Sequence, residues 1–126
     1  DNVELIQLGG NVRHTSLSVV GKYAEMILAG FSFSKLFLGV DGIDLDFGIS
    51  TTDMREAEIN RAMMNTAQKI IVLADSTKFG RRGFAKICNM EEVDMIITDS
   101  RLPQNIRDQI EELGIELVIA GENTKK

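Results

Sequence analysis

The sequence predicts a three-layer α/β domain, built on a mostly parallel sheet with helices on both faces. Three observations carry that prediction. Short apolar runs such as Ile70-Ile71-Val72-Leu73-Ala74 alternate with stretches of helical periodicity. Alternation of this kind makes βαβ units, and right-handed crossovers then cover both faces of the sheet. The chain has 126 residues, the length of one domain. It is 44% hydrophobic and 26% charged, which leaves enough apolar material for a single layered core.

The elements follow in order. Val3 to Leu8 reads as a strand stopped by Gly9-Gly10. Val20, Ala24, Ile27, Leu28 and Phe31 recur at helical spacing, with Gly30 as the stop. Lys35 to Val40 is a second strand, running into Asp41-Gly42. A long helix is expected from about Asp53 to Lys69, its first turn capped by Thr51, Thr52 or Asp53. Ile70 to Ala74 is a third strand, apolar enough to be covered on both faces. A short helix is expected over Phe84 to Glu91, and a strand over Met95 to Thr98. Ile106, Ile110 and Leu113 mark a last helix between Pro103 and Gly114. Glu116 to Ala120 closes the sheet, and Glu122 to Lys126 is a polar tail.

Composition excludes several functions. The formal net charge is −5, and Lys78, Arg81, Arg82 and Lys86 are the nearest thing to a basic cluster. A phosphate backbone demands a concentrated positive surface, so direct DNA binding is not expected of this chain. No apolar run has membrane-spanning length, and no secretory signal opens the chain. Cys88 and His14 are single, so neither an internal disulfide nor an ordinary zinc site is expected. Cys88 reads as a small core residue in a cytoplasmic protein. No cofactor is expected, no catalytic triad, Walker loop or dinucleotide glycine pattern being present. The chain opens without Met and reads as part of a longer protein.

Ligands of parallel α/β sheets bind beyond the carboxyl ends of the strands. Four such places follow from the strand assignments: Gly9-Gly10, Asp41-Gly42-Ile43-Asp44, Asp75 to Lys78, and Thr98-Asp99. Asp41 and Asp44 can accept hydrogen bonds from sugar hydroxyls, while Gly42 lets a ligand come close. The plainer reading of the same residues is a turn. Gly48, Ser50 and Thr51 precede the long helix, where exposed N–H groups and hydroxyls suit an anion. Ordinary capping explains them equally well. Lys78 can hold a phosphate as a point charge with Asp75 orienting it; a solvated loop lysine is the alternative. Glu56 and Glu58 lie inside the helix, and either can face the pocket or solvent. Gly9, Gly10 and Arg13 are weaker candidates.

Taken together, these motifs resemble the effector domain of DeoR-type bacterial repressors. The matching pieces are Leu8-Gly9-Gly10, Arg13, Phe37 to Ile43, Gly48 to Thr51, Leu73 to Gly80 and Ile97-Thr98-Asp99, in that order. They span Val3 to Ala120, almost the whole chain. The resemblance implies a Rossmann-like fold similar to ribose-5-phosphate isomerase and to glucosamine-6-phosphate deaminase. It implies a phosphorylated sugar as effector, with Asp41 and Asp44 on hydroxyls and Lys78 on the ligand. The isomerase's helix glutamate, its base, falls near Glu56 or Glu58. The isomerase also carries a lysine and a glycine run before that helix, where this chain has Phe47-Gly48-Ile49-Ser50.

The expectation is therefore a partial sensor domain over residues 1–126 whose ligand modulates operator binding. DNA would be bound only through an N-terminal winged helix-turn-helix, and the family's first βαβ unit would also lie before Asp1. A homo-oligomer and no membrane partner are further implications of the resemblance. A sugar-phosphate isomerase is the alternative, and an oligomerisation domain with a vestigial pocket is a third reading.

Overall fold

Alternating burial along the apolar runs sets the strands. In Phe33–Gly39, Leu36 and Leu38 turn inward while Lys35 and Phe37 face outward. The computed structural model describes residues 2–122. A short hairpin, β1 (Asn11–Val12) and β2 (Val19–Val20), precedes α1 (Lys22–Leu28) and β3 (Phe33–Gly39). Next come β4 (Gly42–Asp44), β5 (Gly48–Thr51), α2 (Met54–Thr66) and β6 (Ala67–Leu73). A 3-10 turn at Ser76–Lys78 leads to β7 (Ala85–Cys88), and another at Met90–Glu92 leads to β8 (Met95–Asp99). The chain then forms α3 (Gln104–Glu112) and β9 (Glu116–Ala120).

The main sheet has four strands in the order β3-β6-β8-β9, all parallel. Register aligns Gly39 with Leu73 and Leu73 with Ile97. The residues just past these strands, Asp41 and Asp75 among them, therefore gather at one edge of the sheet. A second, antiparallel sheet has the order β4-β5-β7. Both sheets share one core, in which Ile43, Ile49 and Ile87 join Val72, Ile96, Leu102 and Ile110. A smaller cluster of Val20, Ala24, Leu28 and Ile59 lies between α1 and α2. Helix α2 thus serves two cores, Ala57 and Met64 facing one and Ile59 the other.

The mixed α/β class with a mostly parallel sheet agrees with the sequence, but several elements differ. Val3 to Leu8 forms no strand; Val3, Leu5 and Ile6 are exposed. No described strand pairs with this stretch, and an extended segment without a neighbour leaves its backbone groups to water. The helix expected over Phe84 to Glu91 is strand β7 followed by a 3-10 turn. Ala85 and Ile87 are buried and Lys86 is exposed, the two-residue period of a strand, and β5 supplies the partner edge. Gly48 to Thr51 is not an open helix-start loop but the central strand of the small sheet, buried throughout. The long helix begins at Met54 and ends at Thr66, where β6 follows at once. The polar-tail residues beyond Glu122 lie outside the described region.

Candidate functional site

The first-turn cap of α2 organises the site. Asp53 accepts from the backbone N–H of Arg55 at 2.8 Å and of Glu56 at 3.3 Å. Arg55 beside it, with these N–H bonds, holds the Asp53 carboxyl below the usual range. Glu56, three residues on, points at the turn of the β1–β2 hairpin. Its Oε2 accepts from Arg13 Nη1 at 3.0 Å, from Ser16 Oγ at 3.2 Å, and from Ser18 Oγ. Arg13 also lies 3.5 Å from Asp53 Oδ2. The hairpin turn is closed by Arg13 N–H to Ser18 O and Leu17 N–H to Arg13 O, both 2.8 Å. Leu17 takes φ 60°, uncommon for a residue with a side chain.

Asp41 stands just past β3. Its N–H donates to Ser50 O, and its Oδ2 accepts from Thr51 Oγ1 at 2.7 Å. Between Asp41, the hairpin and α2 opens a polar cleft of 360 Å³, lined on its inner side by Gly39, Asp41, Thr51, Glu56 and Asn60. Arg13, Ser16 and Ser18 close the hairpin side. Carboxylate, hydroxyl and amide groups converge there, the group types that hold a polyhydroxylated ligand.

The structure brings four of the sequence-derived candidates to this cleft: Arg13, Asp41, Thr51 and Glu56. Asp44 lies elsewhere and builds a turn. Its Oδ1 accepts from Asp46 N–H at 2.9 Å and Phe47 N–H at 2.8 Å, and its Oδ2 pairs with Arg82 at 3.0 Å. The Phe47 N–H first and Arg82 second hold its carboxyl below the normal range. Gly42 and Ser50 are buried against the 81–83 segment, where Gly83 N–H donates to Ser50 Oγ at 2.7 Å. Gly48 is buried in β5. Asp75 caps the 3-10 turn through Thr77, whose hydroxyl is the main group holding its carboxyl low. Lys78 ends that turn half-buried, outside the residues lining the cleft, and joins no ion pair among the described residues. Gly9 and Gly10 are exposed, and Glu58 faces solvent.

Ser16, Ser18 and Asn60 also line the cleft, though the sequence did not single them out. The serines sit in a stretch without periodicity, six and eight residues past Gly10. Asn60 had a signal available: it lies four residues, one helical turn, beyond Glu56 and so on the same face. Of the basic cluster, Arg82 and Lys86 both lie over the Phe47 ring, at 5.5 and 5.3 Å from its centre. Among the described residues no group of three His, Cys, Asp or Glu side chains can hold a metal ion. No described helix is long and apolar enough to cross a membrane.

The strand ends of a parallel α/β sheet, where this polar cleft lies, are where such folds commonly take their ligands. The DeoR C-terminal sensor domain model matches residues 1–100, and the chain belongs to that family. It is 42% identical over 122 residues, 97% of its length, to a protein of Escherichia coli O157:H7 named as a candidate aga operon transcriptional repressor. It is 36% identical over 87% of its length to the HTH-type transcriptional regulator GlpR of Haloferax volcanii. Identity to the HTH-type transcriptional repressor GlcR of Bacillus subtilis is 29% over the whole chain. The chain spans 45%, 43% and 48% of these relatives, less than half of each.

Proposed function

We propose that this chain is the effector-sensing part of a cytoplasmic, homo-oligomeric transcriptional repressor of sugar metabolism, and that its effector is a phosphorylated sugar. The observation that carries this reading is the cleft, set beside the names of the relatives. Asp41, Thr51 and the hairpin serines offer hydrogen bonds suited to sugar hydroxyls, and they do so in a chain of the DeoR sensor family. The all-parallel main sheet supports a Rossmann-like relationship to the sugar-phosphate isomerases. Lys78, half-buried and free of ion pairs among the described residues, is the cation proposed for the phosphate.

Operator DNA is proposed to be bound by a part of the protein outside this chain. The formal net charge of −5 and the relatives' greater length both support that division. The effector acts through different affinities for two arrangements of the protein. Regulation rather than isomerisation is supported by the relatives' names and by Glu56. A carboxylate already accepting from Arg13, Ser16 and Ser18 is poorly placed to take a proton from a sugar carbon.

A thermal-shift screen of the full-length protein tests the proposal. The panel is glucose 6-phosphate, mannose 6-phosphate, galactose 6-phosphate, fructose 1-phosphate, fructose 6-phosphate, glucosamine 6-phosphate and ribose 5-phosphate, with the free sugars and inorganic phosphate as controls. A specific ligand raises the unfolding temperature with the logarithm of its concentration. A shift with one sugar phosphate and none with its free sugar is the expected result. No shift with any member, or conversion of the sugar to its isomer, contradicts it.

A further inference from the structure

Asn60 is only 6% exposed, yet it lines the polar cleft. No side-chain hydrogen bond engages its amide among the described residues. Among the described residues the one sealed side-chain polar atom without a partner is Thr98 Oγ1, away from the cleft, so the Asn60 amide keeps contact with the cleft. An unpartnered amide that is open to the cleft can bond a ligand in place of water. Helix α2 gives it a fixed position: Ala57 and Met64 pack into the main core and Ile59 into the smaller one.

The charges around it narrow what it can meet. Arg13 is the one cation among the cleft-lining residues, against the two carboxylates Asp41 and Glu56. Arg13 is already shared between Glu56 and Asp53. The cleft is therefore net negative and repels a phosphate, while neutral hydroxyls remain welcome. Asp41 supplies acceptors only; the amide supplies both donors and an acceptor. The pair can tell the orientation of a hydroxyl that a carboxylate alone cannot.

We propose that Asn60 is a specificity-determining residue: its amide, with Asp41, reads the hydroxyl-bearing end of the sugar, and the phosphate is held outside this cleft. The proposal rests on the sugar-phosphate reading above and adds which residue selects among sugars. An Asn60→Leu substitution keeps the size and removes the polar group. Asn60→Ser keeps a hydrogen-bonding group, a hydroxyl in place of the amide, and shortens the reach.

The experiment titrates the full-length protein and both variants with the sugar phosphate that stabilises the wild type, with its epimers from the panel, and with inorganic phosphate as competitor. Expected for Asn60→Leu is a loss of about tenfold or more in affinity for that sugar phosphate. The preference among epimers should shrink in both variants, and competition by inorganic phosphate should stay as in the wild type. Without ligand, Asn60→Leu should unfold close to the wild-type temperature, since the amide bonds no other side chain among the described residues. Wild-type affinity and epimer ranking in the variants overturn the proposal and leave the sensor reading intact. So does a lower unfolding temperature of unliganded Asn60→Leu, which makes the amide structural. If the wild type binds no sugar phosphate, the sensor reading fails and this proposal falls with it.

Discussion

Glu56 joins the start of α2 to the hairpin turn through one oxygen, and its partner Arg13 is mostly buried, its side chain 17% exposed. Replacing Glu56 with Gln keeps the shape and removes the charge from these bonds. The expected cost is about 1–2 kcal/mol, between that of an exposed pair and a buried one. The hairpin should feel it first, as faster hydrogen exchange at the Arg13 and Leu17 amides. Unchanged exchange at both contradicts the anchoring role. Cys88 is a different case. Burial first, and Glu92 second, push its thiol up to about 11, so it stays protonated at neutral pH. Iodoacetamide should leave the native protein unmodified and alkylate it readily in denaturant. Fast alkylation of the native state would place the thiol at the surface.

At the scale of elements, the small antiparallel sheet depends on close approach. A Cβ added at Gly42 would lie 2.6 Å from Arg81 O and 2.6 Å from Ser50 Oγ. The clash with backbone cannot be relieved by a rotamer, so Gly42→Ala should cost about 1–3 kcal/mol in a denaturant melt. A variant as stable as the wild type would mean that the 81–83 segment yields freely. This sheet also marks where the sequence was hard to read. The strands of the parallel sheet announced themselves as apolar runs, and β6, β8 and β9 fall where those runs lie. Strands β5 and β7 are four residues each, with Gly, Ser, Thr and Lys in them, and their pairing with each other joins segments distant in sequence. Only the paired edges make them strands. The same holds for the site: Asp41 was legible because it follows an apolar strand, whereas Ser16, Ser18 and Asn60 gain their meaning from a hairpin folding onto α2. Asp44 has a motif residue's spacing but a turn residue's bonds.

At the scale of the whole molecule, four aspartates at turns and caps share one electrostatic signature. Asp44, Asp53, Asp75 and Asp99 are all held below their ordinary range by hydrogen bonds made in the fold. A depressed folded-state pKa contributes stability above the unfolded value, near about 3.9 for Asp, and that contribution is lost as pH falls through the folded value. The unfolding temperature should therefore vary little with these groups from neutral pH to about 5 and fall below about 4. A rise in stability on acidification below that point would reverse the sign of the argument. The core that these turns connect is continuous: Ile96 and Ile110, both fully buried, link the parallel sheet to α3. Ile96→Ala should cost about 2–5 kcal/mol and lower the midpoint of one cooperative transition.

The central claim, that the polar cleft at Asp41 receives the sugar of a phosphorylated effector, is tested most directly by calorimetric titration of the full-length protein. The wild type and Asp41→Asn, which keeps the shape and removes the charge, are titrated with the stabilising sugar phosphate. The account predicts saturable one-site binding to the wild type and at least about tenfold weaker binding to the variant. Equal affinity in the two proteins would place the ligand elsewhere and contradict it.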